Sequence, residues 1–406
     1  MVHTDHADQV QVRRAYKFLL RPTSKQAGLL ETALEDHRQL YNAALEERRE
    51  AWRMRRVPIS YCAQARQLPE IRRTDNCGQG RWSAGSQQQT LRRLDWAFVA
   101  FYRRVKAGKK PGYPRFKGTG RFNAVTWPAA KNGARWNSVP HPAVTRVYLL
   151  GIGHVRVHRH RPVRGIIKMI SVKRQGRRWY VILSCDDVPA QPLPATGAVT
   201  GIDMGVAWFL TTSRGAHVPN PRHLPTAAGK LADARRALAR KRYGSERRRK
   251  AVARVAELHA KIRRQRLDFA HKTALSLVRD YDLIAHEALR IGNMTRQPRP
   301  RVAEDGSYQP NGAIAKAALN KSVLDAGWGV FLNVLHAKAE SAGRMIVEVN
   351  PRHTSRKCAV CGHTAEGNRH GAKFHCLACG HLAHADINAA QNILRAGLAL
   401  QAAATA

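Results

Sequence analysis

The chain has 406 residues, of which 44% are apolar, and carries 70 Lys and Arg against 28 Asp and Glu, a formal net charge of +42. The apolar content excludes a disordered tail, and the length allows roughly two to four packed units. A solubility surplus for a small domain is only roughly 2 to 8 charges; an excess of +42 repels itself unless a polyanion neutralises it, which points to nucleic acid. An anionic membrane fits less well, because neither a transmembrane-length apolar run nor a short basic amphipathic anchor is present.

In chain order, Met1 to Val10 lacks the apolar core of a secretory signal. Val12 to Leu20 reads as a strand, with Tyr16, Phe18 and Leu20 on one face, stopped by Pro22. Ser24 is placed to cap a helix from Lys25 that carries Leu29, Leu30, Ala33, Leu34, Tyr41, Leu45 and Trp52 at helical spacing. A second helix is expected from Ser86 to Lys106, with Leu91, Leu94, Phe98, Phe101, Tyr102 and Val105 on its apolar side and Gly108 ending it. Thr74 to Gly85 reads as a polar loop between them.

From Tyr113 to Val188 short β-rich runs take over: Val144 to Leu150, His154 to His158, Ile166 to Arg174 and Arg178 to Asp186. Their spacing suggests a small barrel or sandwich. The Pro-rich stretch Ala190 to Thr196 is the best boundary. Beyond it come a strand–turn–strand at Gly197 to Thr212, a long basic helical region at Leu224 to Asp280, and a buried strand at Tyr281 to Leu289. A polar, mobile stretch is expected at Arg290 to Ser322, then one amphipathic helix at Leu324 to Ala342, a strand at Met345 to Val349 and a closing helix at Asp386 to Ala399.

Four of the seven cysteines form a doubled Cys-x-x-Cys: Cys358 with Cys361, and Cys376 with Cys379, each pair followed by a glycine, Gly362 or Gly380. Two thiolates on one tight turn reach a metal at about 2.3 Å, two such turns complete a tetrahedron, and glycine lets the backbone fold under the sulfurs. This predicts a structural Zn²⁺ with no open position, and His363, His375 and His381 are surplus to it. Cys62, Cys77 and Cys185 are scattered, so the pattern is that of a reduced compartment, intracellular and cytoplasmic, rather than a disulfide framework.

Three acids stand out against so basic a background. Asp203 lies in Gly201-Ile202-Asp203-Met204-Gly205, Glu287 ends Leu283-Ile284-Ala285-His286-Glu287, and Asp386 opens the last helix in His384-Ala385-Asp386-Ile387-Asn388. Buried carboxylates are costly unless paired or bound to a cation. Three converging ones make a hard-oxygen site for Mg²⁺ or Mn²⁺ that can serve phosphodiester cleavage. Singly, Asp386 reads equally well as a helix cap and Asp203 as a turn residue.

Taken together, the Gly-Ile-Asp-Met-Gly, His-Glu-Ala-Leu and His-Ala-Asp-Ile-Asn segments, with a doubled Cys-x-x-Cys inserted before the last, resemble the three RuvC motifs of TnpB proteins. These are transposon-encoded relatives of miniature type V CRISPR effectors. Gly112 to Phe116 and Asp325 to Gly329 extend the resemblance over nearly the whole chain. Where some relatives carry Arg-Asp, this chain has Ala385-Asp386, which leaves the acid intact.

The resemblance implies a multidomain α+β protein. A wedge-type β-barrel would span 1–22 and 109–195, with a helical recognition insertion at 23–108. A RuvC-like, RNase H-like α/β nuclease domain would span 196–350 and 383–406, with a zinc ribbon at 351–382. It implies an RNA-guided DNA endonuclease with Asp203, Glu287 and Asp386 as catalytic metal-holding acids, and guide RNA and target double-stranded DNA as partners. A guide from a CRISPR array rather than a transposon end would leave the same protein signature. A binding-only repressor would have lost one of the acids, and all three are present. A His-apolar-His motif for single-strand transposition is absent.

Arg235 to Arg266 is the densest basic run, offset only by Glu246 and Glu257. Arg240, Lys241, Arg242, Arg247, Arg248, Arg249, Lys250, Arg263 and Arg264 are its candidate phosphate contacts, positioning a duplex without reading bases. Lys106, Lys109, Lys110, Arg115 and Lys117, interleaved with Tyr113 and Phe116, suit either phosphate and stacking contacts or ordinary packing.

Overall fold

A computed structural model describes residues 11–128, 133–139 and 144–405. The Met1 to Val10 segment therefore lies outside the described residues, as do parts of the predicted barrel at 129–132 and 140–143. The chain divides into two compact units, Met1–Pro189 and Ala190–Ala406.

The first unit opens with strand β1 (Gln11–Arg21) and helix α1 (Ser24–Arg55). The cap of α1 is Thr23 rather than Ser24: its hydroxyl accepts from the Gln26 N–H while the Gln26 side chain reaches back, closing a capping box. Helix α2 (Tyr61–Thr74) has no counterpart in the sequence reading, because Pro69 inside it argues against a helix. The Ser60 cap and the burial of Leu68 outweigh that cost. A short 3-10 turn (Gln79–Arg81) leads to α3 (Ala84–Lys106). Buried His37 locks α1 to α3, with one ring nitrogen 2.7 Å from the Ala33 carbonyl and the other 2.9 Å from the Ser86 hydroxyl; burial pushes its pKa down to about 4. Tyr102 and Val105, expected on the apolar side of α3, are exposed.

Six more strands follow: β2 (Ala124–Pro128), β3 (Ala134–Trp136), β4 (Thr145–Leu149), β5 (Gly153–His158), β6 (Ile166–Gln175) and β7 (Arg178–Pro189). They form one antiparallel sheet in the order β2-β6-β7-β1-β5-β4-β3 that curls into a near-closed barrel, its edge strand β3 touching β6. The first strand sits at its centre, so α1 to α3 are an insertion between β1 and the rest. Tyr16, Phe18, Leu20, Val155, Val181 and Leu183 alternate into its core.

The second unit begins with β8 (Val199–Met204), β9 (Trp208–Thr212) and β10 (His217–Pro219). Helices α4 (His223–Thr226), α5 (Ala228–Ala239) and α6 (Glu246–Asp280) follow, then β11 (Leu283–Glu287). The stretch expected to be polar and mobile holds α7 (Ile291–Met294), a small hairpin of β12 (Arg301–Val302) and β13 (Tyr308–Gln309), and the start of α8 (Ala313–Ala326). One helix was expected over Leu324 to Ala342. Instead α8 ends at Gly327, whose φ of 73° breaks the run, and α9 (Trp328–Ala342) starts afresh. Strand β14 (Met345–Val349), the small strands β15 (Arg369–His370), β16 (Lys373–His375) and β17 (Leu382–His384), and α10 (Ala385–Thr405) complete the unit.

Its main sheet has the order β10-β9-β8-β11-β14, with β8, β11 and β14 parallel and β9 and β10 antiparallel to their neighbours. One face packs Ile202, Met204 and Ile284 against Ala274 and Leu277 of α6 and Phe331 and Leu335 of α9. The other packs Leu283, Ala285 and Val349 against Ile393 of α10. No helix among the described residues is long and apolar enough to cross a membrane.

Candidate active site

The two-residue period of a strand decides which side chains meet α10. Ile202 and Met204 face the α6–α9 core, so Gly201 and Asp203 face the other way. Glycine at 201 is a packing requirement: a Cβ there would lie 2.2 Å from the Ala390 carbonyl oxygen and 2.6 Å from the Leu394 nitrogen. The backbone of α10 therefore lies directly on β8. Along β11 the same alternation sends Ala285 and Glu287 toward α10. Asp386 is the second residue of α10, inside the helix rather than at its cap, where the helix dipole favours a negative charge.

Asp203, Glu287 and Asp386 thus come together from two adjacent parallel strands and one helix. Burial, with the charges of Glu287 and Asp386, pushes the Asp203 carboxyl up to about 7 against the pull of Arg369. Burial also raises Glu287, opposed by the Thr354 hydroxyl and Arg369. That hydroxyl donates to Glu287 Oε1 at 2.5 Å. Arg369 Nη2 donates to Asp386 Oδ1 at 2.9 Å, the two side chains being 30% and 18% exposed. Three acids against one guanidinium leave the site short of positive charge inside a strongly basic chain. Such an oxygen-rich, anionic set suits a hard divalent cation.

The four cysteine sulfurs lie within 4.8 Å of one another, with Cys361 and Cys376 sulfurs 3.5 Å apart and Cys358 and Cys379 sulfurs 3.8 Å apart. A tetrahedral ion with metal–sulfur bonds of about 2.3 Å needs sulfur–sulfur edges of about 3.8 Å, so the donor set fits four-thiolate coordination. Gly362 and Gly380 adopt φ values of 80° and 73°, as the knuckle turns require. Backbone N–H groups of Cys379 and Ala378 hold the Cys376 thiol down to about 6, while the neighbouring sulfurs push Cys379 up, so Cys376 is the first of the pair to ionise.

Four site residues escaped the sequence reading. Arg369 and Thr354 lie in the segment around the cysteines and reach the acids across space. Asn388 and Asn392, buried one turn apart on α10, staple that segment down. Asn388 accepts from the Ala359 N–H and donates to the Lys357 carbonyl; Asn392 donates to the Thr354 and Lys357 carbonyls. An amide pair at i, i+4 in an Ala-rich helix was the available signal.

The basic residues sort into several groups. Arg240, Lys241 and Arg242 occupy the turn between α5 and α6, and Arg247, Lys250, Arg263 and Arg264 project from α6 exposed. Arg249 pairs with Glu246. Arg248 is half-buried and donates to the Leu238 and Lys241 carbonyls, closing the α5 C-terminus. Arg266, paired with buried Asp325, ties α6 to the end of α8, and the same carboxylate accepts the Leu224 N–H. Tyr113 packs edge-on against Phe98 and Phe101, and Phe116 lies under Arg49.

Residues 172–297 match the family described as "Probable transposase", and residues 328–393 match the "Cas12f1-like, TNB domain". The "Putative RNA-guided DNA endonuclease InsQ" of Escherichia coli strain K12 is 31% identical over 394 residues, spanning 96% of this chain and 93% of that protein. The chain belongs to the TnpB family. A "Putative RNA-guided DNA endonuclease" of Streptomyces pristinaespiralis is 32% identical over 97% of the chain and 91% of its own length. The "CRISPR-associated endodeoxyribonuclease Cas12f1" of Sulfoacidibacillus thermotolerans is 27% identical over 230 residues, 53% of this chain and 50% of that protein. Among solved structures, a Cas12f1–sgRNA–target DNA complex has a protein chain of similar fold, with a TM-score of 0.55 at 13% identity over 95% of this chain and 99% of that one. Residues 12–56 of this TnpB-family chain also match a "Helix-turn-helix domain". Here they form β1 and the single unbroken helix α1, so that name does not describe their structure.

Proposed function

We propose that this chain is an RNA-guided DNA endonuclease that cuts with Asp203, Glu287 and Asp386 on a RuvC-type, RNase H-like module. The carrying observation is the convergence of the three acids on the α10 face of the sheet, where burial and the charges of Glu287 and Asp386 lift the Asp203 carboxyl to about 7. The module spans 196–350 and 383–406, with a zinc ribbon at 351–382. The wedge-type barrel spans 1–22 and 109–195, and the helical recognition insertion spans 23–108.

The acids hold Mg²⁺ or Mn²⁺, and Cys358, Cys361, Cys376 and Cys379 hold Zn²⁺. When bound, the divalent ion supplies Lewis-acid stabilisation of the scissile phosphate and makes water a competent nucleophile near neutral pH. Asp203 and Glu287 present their carboxylates from rigid strands. Thr354 fixes the Glu287 rotamer through its 2.5 Å hydrogen bond. Arg369 balances the Asp386 charge and offers a donor fork for a phosphate. Guide RNA and target DNA follow the exposed cations around α6, led by Arg240, Lys241, Arg242, Arg247, Lys250, Arg263 and Arg264, through phosphate contacts that read shape rather than sequence.

The test compares Asp203→Ala with wild type on one guide and one target. Cleavage should vanish while RNA and target binding stay within about twofold, since binding rests on base pairing and phosphate contacts. Cleavage at wild-type rate by Asp203→Ala would remove that residue from the site.

A further inference from the structure

The sheet that carries the acids has a second cluster on its other face. The register pairs His286 of β11 directly with Glu348 of β14, so both side chains leave the same side of the sheet. That side is the one covered by α9, and α9 brings His336 to meet them. His286 Nε2 lies 3.0 Å from His336 Nε2, and Glu348 Oε1 lies 3.5 Å from His336 Nε2 and 3.9 Å from His286 Nε2.

We propose that His286, His336 and Glu348 form a second transition-metal site, of the zinc class, on the face of the sheet opposite the acids.

Three observations carry it. The first is geometric. A triangle with edges of 3.0, 3.5 and 3.9 Å has a circumradius of about 2.0 Å, so one point is equidistant from all three donor atoms at the usual Zn–N and Zn–O bond length. The second is the fixed tautomer. A carbonyl can only accept, so the 2.9 Å contact of His286 Nδ1 with the Glu287 carbonyl makes Nδ1 the protonated nitrogen. Nε2 of this buried ring is then left with its lone pair, and donation of the other ring N–H to a carbonyl is how metal-ligating imidazoles are held. The third is what hydrogen bonding fails to explain. Glu348 Oε1 is too far from His286 for a hydrogen bond and at the outer limit for His336, yet it completes the triangle.

Two imidazoles and one carboxylate are a borderline donor set that selects Zn²⁺, Co²⁺ or Ni²⁺ over Mg²⁺. His286 is 1% exposed, whereas His336 and Glu348 are 43% and 56% exposed, so the fourth position opens to solvent and the ion can enter. The site differs from the four-cysteine cluster in donors and from the acid site in face. Through Glu287 it is joined to the acid site by a single peptide unit, since the carbonyl that orients His286 belongs to Glu287.

The experiment counts Zn²⁺ on the purified full-length chain after equilibration with the metal alone and removal of the excess. Inductively coupled plasma mass spectrometry should find about two ions per chain in wild type and about one in His336→Ala and in Glu348→Gln. Affinity at the lost site should fall at least about 100-fold, because removal of a mere outer partner already costs roughly 10- to 100-fold. Both variants sit at half-exposed positions on different elements, and a Co²⁺ titration checks their integrity: the intense sulfur charge-transfer bands of the four-cysteine site should persist while the weak d–d bands of a nitrogen and oxygen site disappear. Asp203→Ala should keep both ions even though it cannot cut, which separates this site from the acid site. Equal zinc in wild type and His336→Ala overturns the proposal. So does loss of the second ion in Asp203→Ala instead of in His336→Ala, which would assign that ion to the acids.

Discussion

The raised Asp203 carboxyl makes the acid site a source of instability whenever it is charged and metal-free. Its pKa stands at about 7 in the folded chain against 3.8 for the ordinary side chain. Roughly three units at about 1.4 kcal/mol each correspond to about 4 kcal/mol of native-state destabilisation once the group ionises. The folded state binds this proton more tightly than the unfolded one. The Asp203 contribution to stability therefore falls as pH rises from about 4 to about 7 and stays level above that. Asn in place of Asp203 keeps the shape and removes the charge. In EDTA at pH 8, Asp203→Asn should gain about 2–4 kcal/mol over wild type, which for a unit of this size is a rise in Tm of roughly 5–15 °C. The stability gap between variant and wild type should widen as pH rises from about 4 to about 7, since groups such as His37 titrate alike in both and cancel in the comparison. Added Mg²⁺ should stabilise wild type and leave the variant unmoved. Scanning calorimetry of both proteins at pH 5 and pH 8, with and without Mg²⁺, reads all of this. A variant no more stable than wild type in EDTA at pH 8 would refute the reasoning, even if its cleavage were lost.

Gly201→Ala places a methyl 2.2 Å from the Ala390 carbonyl, so α10 must move. Overpacking of this kind costs about 1–3 kcal/mol, and because Asp386 rides on α10, cleavage measured well below the lowered Tm should fall at least about tenfold. Arg369→Gln removes a cation that lowers both Asp203 and Glu287, so the acidic limb of the cleavage pH profile should move to higher pH in constant Mg²⁺. A limb that stays put or moves down would detach Arg369 from the acids. Cys376→Ser should reduce the zinc content by about one ion and lower Tm and cleavage together, because the segment that a metal on the four cysteines would organise also carries Thr354 and Arg369. Full cleavage at unchanged Tm would separate the ribbon from the active site.

The local part of this fold was legible because local rules decide it. The alternation around Tyr16, Phe18 and Leu20 sets β1, and the Pro-rich stretch falls where the two units divide. The doubled Cys-x-x-Cys carries its own geometry, so its sulfurs are gathered as the spacing requires. The misreadings came where tertiary packing overrides a local signal. Pro69 masks α2, whose Leu68 is buried in the tertiary structure. Gly327 was read through as part of one apolar helix, because apolar spacing continues across it. In the acid site the three carboxylates were visible as anomalies in a basic chain. Arg369 was invisible for the mirror-image reason: one arginine among so many carries no signal until the fold sets it beside Asp386. His286 and Glu348 were hidden differently. They are 62 positions apart in sequence and meet through a parallel register that composition cannot specify.

The segment between β14 and α10 is less an appendage than the closing side of the acid site. It supplies Thr354 to Glu287 and Arg369 to Asp386, while α10 returns Asn388 and Asn392 to hold the segment's backbone. Each partner therefore needs the other. Without the amides the segment has no fixed seat, and without the segment Glu287 loses a donor and Asp386 its guanidinium. A four-thiolate ion holding this segment folded would contribute to the acids' geometry without touching them. That linkage gives a physical reason for the place of the four-cysteine cluster between the second and third acids: a metal held there would rigidify the segment that brings Thr354 and Arg369 to them.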